Sequence, residues 1–208
     1  MILRIKLCGV RTAKDALVCA EAGADEIGVV FAKSSKRCVS IASAQMIRDA
    51  LPVHVPLVGV FLDATAVELE GVLSEVRLSA VQLHGAIPER RPKVPIYVAL
   101  HVAGRASLEQ IGQLPWAARL LLDSPKGGGS GASFDWDLVP HARALSPLEL
   151  FLAGGLTADN VAGAIRRARP DGIDVASGIE DAAAFKDPVK VRAFVQAARA
   201  AAAEVESQ

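Results

Sequence analysis

The chain has no surplus of either charge: Lys+Arg and Asp+Glu each number 23, so the formal net charge is zero. That balance excludes a general attraction to nucleic acid or to an anionic membrane. An anionic ligand must instead be held by local geometry. Cysteine is scarce. Cys8, Cys19 and Cys38 form an odd set without C-x-x-C spacing, which argues against a disulfide framework and against a structural zinc site. No set of His, Cys, Asp and Glu has metal-ligand spacing, so a bound metal is not expected. No apolar run approaches the ~20 residues that span a bilayer. The opening Met1-Ile2-Leu3-Arg4 enters a strand pattern at once, without a signal-peptide layout. Reduced thiols then make a cytoplasmic protein the expectation. Linkers, charge blocks and low-complexity segments are also missing, so residues 1–208 read as one domain.

What is present is an alternation. Apolar residues make up 51% and charged residues 22%, the balance of a globular domain with one good core. Short β-branched runs at residues 3–8, 26–31, 56–61, 80–84, 96–100, 119–123, 150–153 and 173–177 predict eight strands. Helical patterns lie between most of them, at residues 13–22, 41–51, 66–76, 107–114, 136–144, 158–168 and 189–203. Prolines break the segment 87–94 after the fourth strand, so a helix there is short or irregular. Strict alternation implies parallel strands with right-handed crossovers. Eight strands in a chain of this length favour the α/β class as a single-domain (β/α)8 TIM barrel; a doubly wound open sheet is the rival.

In such a barrel, chemistry gathers at the C-terminal ends of the strands. Several strands here end in reactive or small residues: Cys8-Gly9, His84-Gly85, Asp123-Ser124, Gly154-Gly155 and Ser177-Gly178. Side chains alternate along a strand. Leu3, Ile5 and Leu7 therefore face the helices while Arg4, Lys6 and Cys8 face inward; Leu120 and Leu122 face out while Leu121 and Asp123 face in. Cys8 and Asp123 can thus converge on one cavity as a base and an acid. Cysteine is also commonly buried and inert, and Cys19 and Cys38 are read that way.

Glycines in Ala153-Gly154-Gly155-Leu156-Thr157 and in Asp174-Val175-Ala176-Ser177-Gly178 permit backbone N–H groups to approach a phosphate closely, with Ser177 adding a hydroxyl; tight turns alone are the plain alternative. The glycine-rich run from Lys126 to Phe134 lacks the Gly-Lys-Ser/Thr ending of a P-loop. It reads as a mobile active-site loop above Asp123, with Phe134 and Trp136 anchoring its far end. Arg37, in Lys33-Ser34-Ser35-Lys36-Arg37, is either a solvated surface cation or a bidentate fork for a carboxylate. His84 is either structural or a polar contact to a ligand, with Gln82 on the same face. His54, His101 and His141 have no identifiable partners.

Taken in order, these motifs resemble the phosphoribosylanthranilate isomerase family of tryptophan biosynthesis. The matching segments are Lys6-Leu7-Cys8-Gly9-Val10, Gly23-Ala24-Asp25, Gly28-Val29-Val30-Phe31, Ser35-Lys36-Arg37, Val58-Gly59-Val60-Phe61 and Val81-Gln82-Leu83-His84-Gly85. They continue with Leu121-Leu122-Asp123, Gly128-Gly129-Ser130-Gly131, Phe134-Asp135-Trp136, Ala153-Gly154-Gly155-Leu156, Asn160-Val161, Asp174-Val175, Ser177-Gly178-Ile179-Glu180 and Lys186-Asp187.

The resemblance implies an Amadori rearrangement of a phosphorylated small-molecule substrate without a cofactor, by a monomer or homodimer. It makes Asp123 the general acid and Cys8 the general base, with Arg37 on the anthranilate carboxylate. Gly154, Gly155, Ser177 and Gly178 would hold the phosphate, supported by Asp174. Lys6 is the expected activator of Cys8. Two departures stand out: Ala132-Ser133 replaces the family's Lys-Thr, and the segment 86–95 is short. A histidine-pathway aminoaldose isomerase, which would use two aspartates, and a non-catalytic phosphosugar binder remain alternatives.

Overall fold

The computed structural model describes residues 3–124 and 135–207. Eight parallel strands close into a barrel in the order in which they occur in the chain. They are β1 (Arg4–Leu7), β2 (Glu26–Val30), β3 (Leu57–Leu62), β4 (Ala80–His84), β5 (Ile96–His101), β6 (Arg119–Asp123), β7 (Glu149–Leu152) and β8 (Gly172–Val175). β1 pairs with β8 as well as with β2, which closes the ring. The expected strand positions hold to within two residues at each end, and the open-sheet alternative is excluded.

The outer layer comprises α1 (Ala13–Glu21), α2 (Ile41–Ala50), α3 (Ala66–Glu75), α4 (Val139–Leu145), α5 (Val161–Ala168) and α6 (Pro188–Glu206). Local chemistry sets where these helices start. Thr12, Ser40 and Asp187 cap α1, α2 and α6 by accepting from backbone N–H groups, and Thr65 with Glu68 forms a reciprocal capping box on α3. The layer is incomplete on one flank: β4 runs to β5 without a helix, and β5 is followed only by a 3-10 helix, Arg105–Gln113.

The alternation rule places the core. Ile5, Leu7, Leu120 and Leu122 join the cluster between barrel and helices, whereas Leu121 packs inside with Val58, Ala80, Tyr97, Ala99 and Phe151. Below this plug lies an ionic floor. Arg119 is fully enclosed, its guanidinium carbon 4.2 Å from the Tyr97 ring centroid and 3.9 Å from that of Phe151. It donates to Glu26 at 2.8 Å and to Glu149 at 2.8 Å, and Arg4 also pairs with Glu26. The apolar plug and ionic floor close one end of the barrel, so its cavity opens at the other.

Candidate active site

At the C-terminal ends of the strands lies a cavity of about 280 Å³, bordered by Cys8, Arg37, His84, Asp123, Gly154, Gly155, Asp174 and Ser177 among others. Eight of the nine expected site residues therefore meet in one place. Gly178 is the exception. It lies behind the wall, where an added Cβ would come 2.0 Å from the Leu156 carbonyl oxygen, so it joins the two glycine loops rather than lining the cavity.

Cys8 follows the last residue of β1 and is nearly enclosed. Burial pushes its thiol above the ordinary range, and the Lys6 ammonium pulls the other way. Lys6 lies fully buried on the same face and donates to Asp174 Oδ1 at 2.9 Å. Burial alone would lower the Lys6 pKa, but Asp174, Cys8 and Glu26 together outweigh it and keep the ammonium charged. Lys6 thus favours the thiolate as expected, although desolvation is the larger effect. Asp174 was expected to support the phosphate loops; its partner is Lys6, because the two residues are register neighbours on β1 and β8. Gly28 makes room for both: a Cβ there would stand 2.6 Å from Cys8 Sγ and 3.1 Å from Lys6 Nζ.

Asp123 ends β6 and is held above the usual carboxylate range by burial, against a backbone N–H of Ser124 that donates to Oδ1 at 2.7 Å. The glycine-rich segment 125–134, including Ala132, Ser133 and Phe134, lies outside the described residues. Trp136, beyond it, is partly buried against the core.

The two glycine loops are ordered from within. Asn160 Nδ2 donates to the Gly155 carbonyl at 2.8 Å, and its Oδ1 accepts from the Thr157 backbone at 2.9 Å. Gly154 and Gly155 have φ of 81° and 67°, the left-handed region that favours glycine. His84 is pushed down to about 4 by burial and is neutral. Its Nε2 lies 2.9 Å from the Gln82 side-chain amide. Gln82 Oε1 is buried and has no partner among the described residues.

Arg37 differs most from expectation. Its fork already faces a carboxylate within the protein: Nε donates to Glu180 Oε1 at 2.7 Å and Nη2 to Oε2 at 2.8 Å. A ligand can meet only the remaining edge. His101, which had no identifiable partner, borders the cavity; its Nδ1 lies 3.2 Å from the Ser124 carbonyl and its ring 6.0 Å from that of His84. Cys19 is buried in α1 as expected, while Cys38 is only half-buried. Among the described residues, no cluster of three or more His, Cys, Asp or Glu is arranged to hold a metal ion, and no helix is long and apolar enough to cross a membrane.

A closed parallel barrel of eight strands, with a cavity at their C-terminal ends bordered by a buried thiol and a buried carboxylate, places the chain among the (β/α)8 enzymes. Residues 5–197 match the family model described as N-(5'phosphoribosyl)anthranilate (PRA) isomerase. The chain belongs to this N-(5'-phosphoribosyl)anthranilate isomerase family. It is 45% identical over 206 residues to the enzyme of that name from Pseudomonas paraeruginosa, covering 95% of each chain. Identity to the Cereibacter sphaeroides enzyme is 40%, covering 95% of this chain and 99% of the relative. The phosphoribosyl anthranilate isomerase structure from Thermotoga maritima superposes with a TM-score of 0.86 at 34% identity, covering 96% of this chain and 100% of that one. A family structure in complex with reduced 1-(o-carboxyphenylamino)-1-deoxyribulose 5-phosphate gives 0.84 at 33% identity, with coverage of 96% and 100%.

Proposed function

We propose that the chain catalyses the Amadori rearrangement of N-(5-phosphoribosyl)anthranilate to 1-(o-carboxyphenylamino)-1-deoxyribulose 5-phosphate, with Asp123 as general acid and Cys8 as general base. The observation that carries this reading is the convergence of these two groups on one cavity inside this family's fold. Asp123 protonates the ribose ring oxygen as the C1–O bond breaks, and the anilino nitrogen lone pair forms a C1=N iminium. The Cys8 thiolate then removes the C2 proton. The C–H electrons form C1=C2, and the C=N electrons return to nitrogen. The resulting enaminol becomes the ketone when its hydroxyl proton leaves and C1 is protonated, so the sequence is redox-neutral. Arg37 meets the anthranilate carboxylate, while the backbone around Gly154 and Gly155, with Ser177, receives the phosphate. Gly178 holds the two glycine loops together.

Neither proposed catalyst calls for a metal or organic cofactor in this scheme. The balanced charge gives no general handle on nucleic acid or membrane. We place the enzyme in the cytoplasm, acting as one domain. It works as a monomer or homodimer; the Thermotoga maritima relative is described as dimeric.

The test is turnover of freshly formed substrate by the purified chain, followed by anthraniloyl fluorescence. Cys8→Ser and Asp123→Asn are each expected to lower kcat by roughly 10²–10⁴-fold while leaving thermal unfolding near wild type. Near-normal turnover in either variant would remove that residue from the mechanism. Phosphosugar binding without turnover by the wild type would favour a binding protein.

A further inference from the structure

We infer that Glu180 and Lys186 are positioning residues for substrate: they fix the guanidinium of Arg37 at the carboxylate end of the cavity and tie it to the phosphate loop. This rests on the reading of Arg37 as the carboxylate partner. Neither residue borders the cavity, so both act through groups that do.

Three contacts define the network. Glu180 grips Arg37 through both carboxylate oxygens, at 2.7 and 2.8 Å, which leaves the guanidinium little freedom to rotate. The Arg37 stem crosses Gly9, whose φ is +75° and where an added Cβ would stand 2.5 Å from Arg37 Cδ. Lys186 is buried and donates to Glu180 Oε1 at 2.9 Å and to the Ala176 carbonyl at 3.2 Å. Ala176 precedes Ser177 in the loop assigned to phosphate. A backbone bridge between Glu180 and Lys186 holds the two residues in register.

The charge count separates positioning from plain structure. Arg37 and Lys186 are two cations against the one carboxylate of Glu180, so these three residues carry one surplus positive charge beside the cavity, within electrostatic reach of Cys8 as well as of a bound anion. A salt bridge serving only stability has no need of a surplus, and an uncompensated buried charge is destabilising until an anion meets it. Nη1 of Arg37 has no hydrogen-bond partner among the described residues and remains for that anion. Prior fixation of the fork reduces what must be ordered on binding.

The experiment compares two ligands on the full chain: reduced 1-(o-carboxyphenylamino)-1-deoxyribulose 5-phosphate and its counterpart lacking the ortho carboxylate. The wild type is expected to bind the first about 10- to 100-fold more tightly, the range for hydrogen bonds to a charged group. Arg37→Ala should bring the ratio near one; an unchanged ratio there refutes the reading of Arg37 itself. If Arg37→Ala does collapse it, Glu180→Gln should lower the ratio several-fold and raise KM more than it lowers kcat. A wild-type ratio in Glu180→Gln would overturn the inference and leave a structural salt bridge. Where Glu180→Gln does not fold, Glu180→Asp keeps the charge and withdraws the carboxylate by one methylene, and the same outcomes decide. Lys186→Met should weaken both ligands; undiminished binding of the carboxylate-free ligand would overturn the link to the phosphate loop.

Discussion

Burial shifts Cys8 and Asp123 in the same direction, yet only one of the two shifts suits its proposed role. A raised carboxyl keeps Asp123 protonated to higher pH, which a general acid needs; a raised thiol makes the Cys8 thiolate scarcer, which a general base does not. With Asp123 titrating below Cys8, the active form is a minor one, carrying its proton on the carboxyl and none on the sulfur. Below the Asp123 pKa both groups are protonated and the base is missing. Above the Cys8 pKa both are ionised and the acid is missing. The kcat/KM profile should therefore be a bell whose low-pH limb lies above the ordinary ~4 of a carboxylate and whose high-pH limb lies above the ordinary ~8.5 of a thiol. Lys6→Met removes the charge that favours the thiolate, so the high-pH limb should move further up and turnover should drop. A profile unmoved by Lys6→Met would contradict its part in activating Cys8. Gly28→Ala offers a purely steric check: with 2.6 Å to Cys8 Sγ, the sulfur must shift, and kcat should fall by at least about tenfold in a protein that still folds.

Among the elements, the loop from β7 to α5 is the sharpest case of local design. Asn160 bridges the Gly155 carbonyl and the Thr157 N–H, so Asn160→Ala leaves two backbone groups without their partner. About 1–2 kcal/mol of stability should be lost, and KM for the phosphorylated substrate should rise with a smaller change in kcat, as read from thermal unfolding and steady-state kinetics. This loop was legible in the sequence because its glycines and Asn160 lie close together in the chain. The strands were legible for the same reason, since a period of two needs only a few residues to declare itself. The gap after β4 was foreshadowed by Pro88, Pro92 and Pro95. What escaped were partnerships across the chain. Arg37 and Glu180 are separated by 143 positions, and nothing near either residue announces the other. Asp174 borders the cavity, but its partner Lys6 is fixed by barrel register, which becomes definite only when β1 and β8 meet. His101 was passed over because a single strand-end histidine has no local pattern.

At the scale of the whole molecule, the barrel is closed from below by charges. Arg119→Met would leave Glu26, which has no exposed surface, with the partly exposed Arg4 as its remaining ion-pair partner among the described residues. Breaking such a buried pair from one side costs about 3–5 kcal/mol. The urea midpoint should fall accordingly, while the kcat of the folded protein stays near wild type, since the floor lies on the far side of the plug from Cys8 and Asp123. Loss of activity without loss of stability would show that the floor reaches the cavity.

The bare flank between β4 and β5 divides the chain in another sense. Cys8 precedes it and Asp123 follows it. A cut near residue 90 would place the base on one fragment and the acid on the other, so neither piece alone could complete the rearrangement. Turnover by a mixture of the two would then count reassembled barrels directly, and the enzyme would report its own complementation.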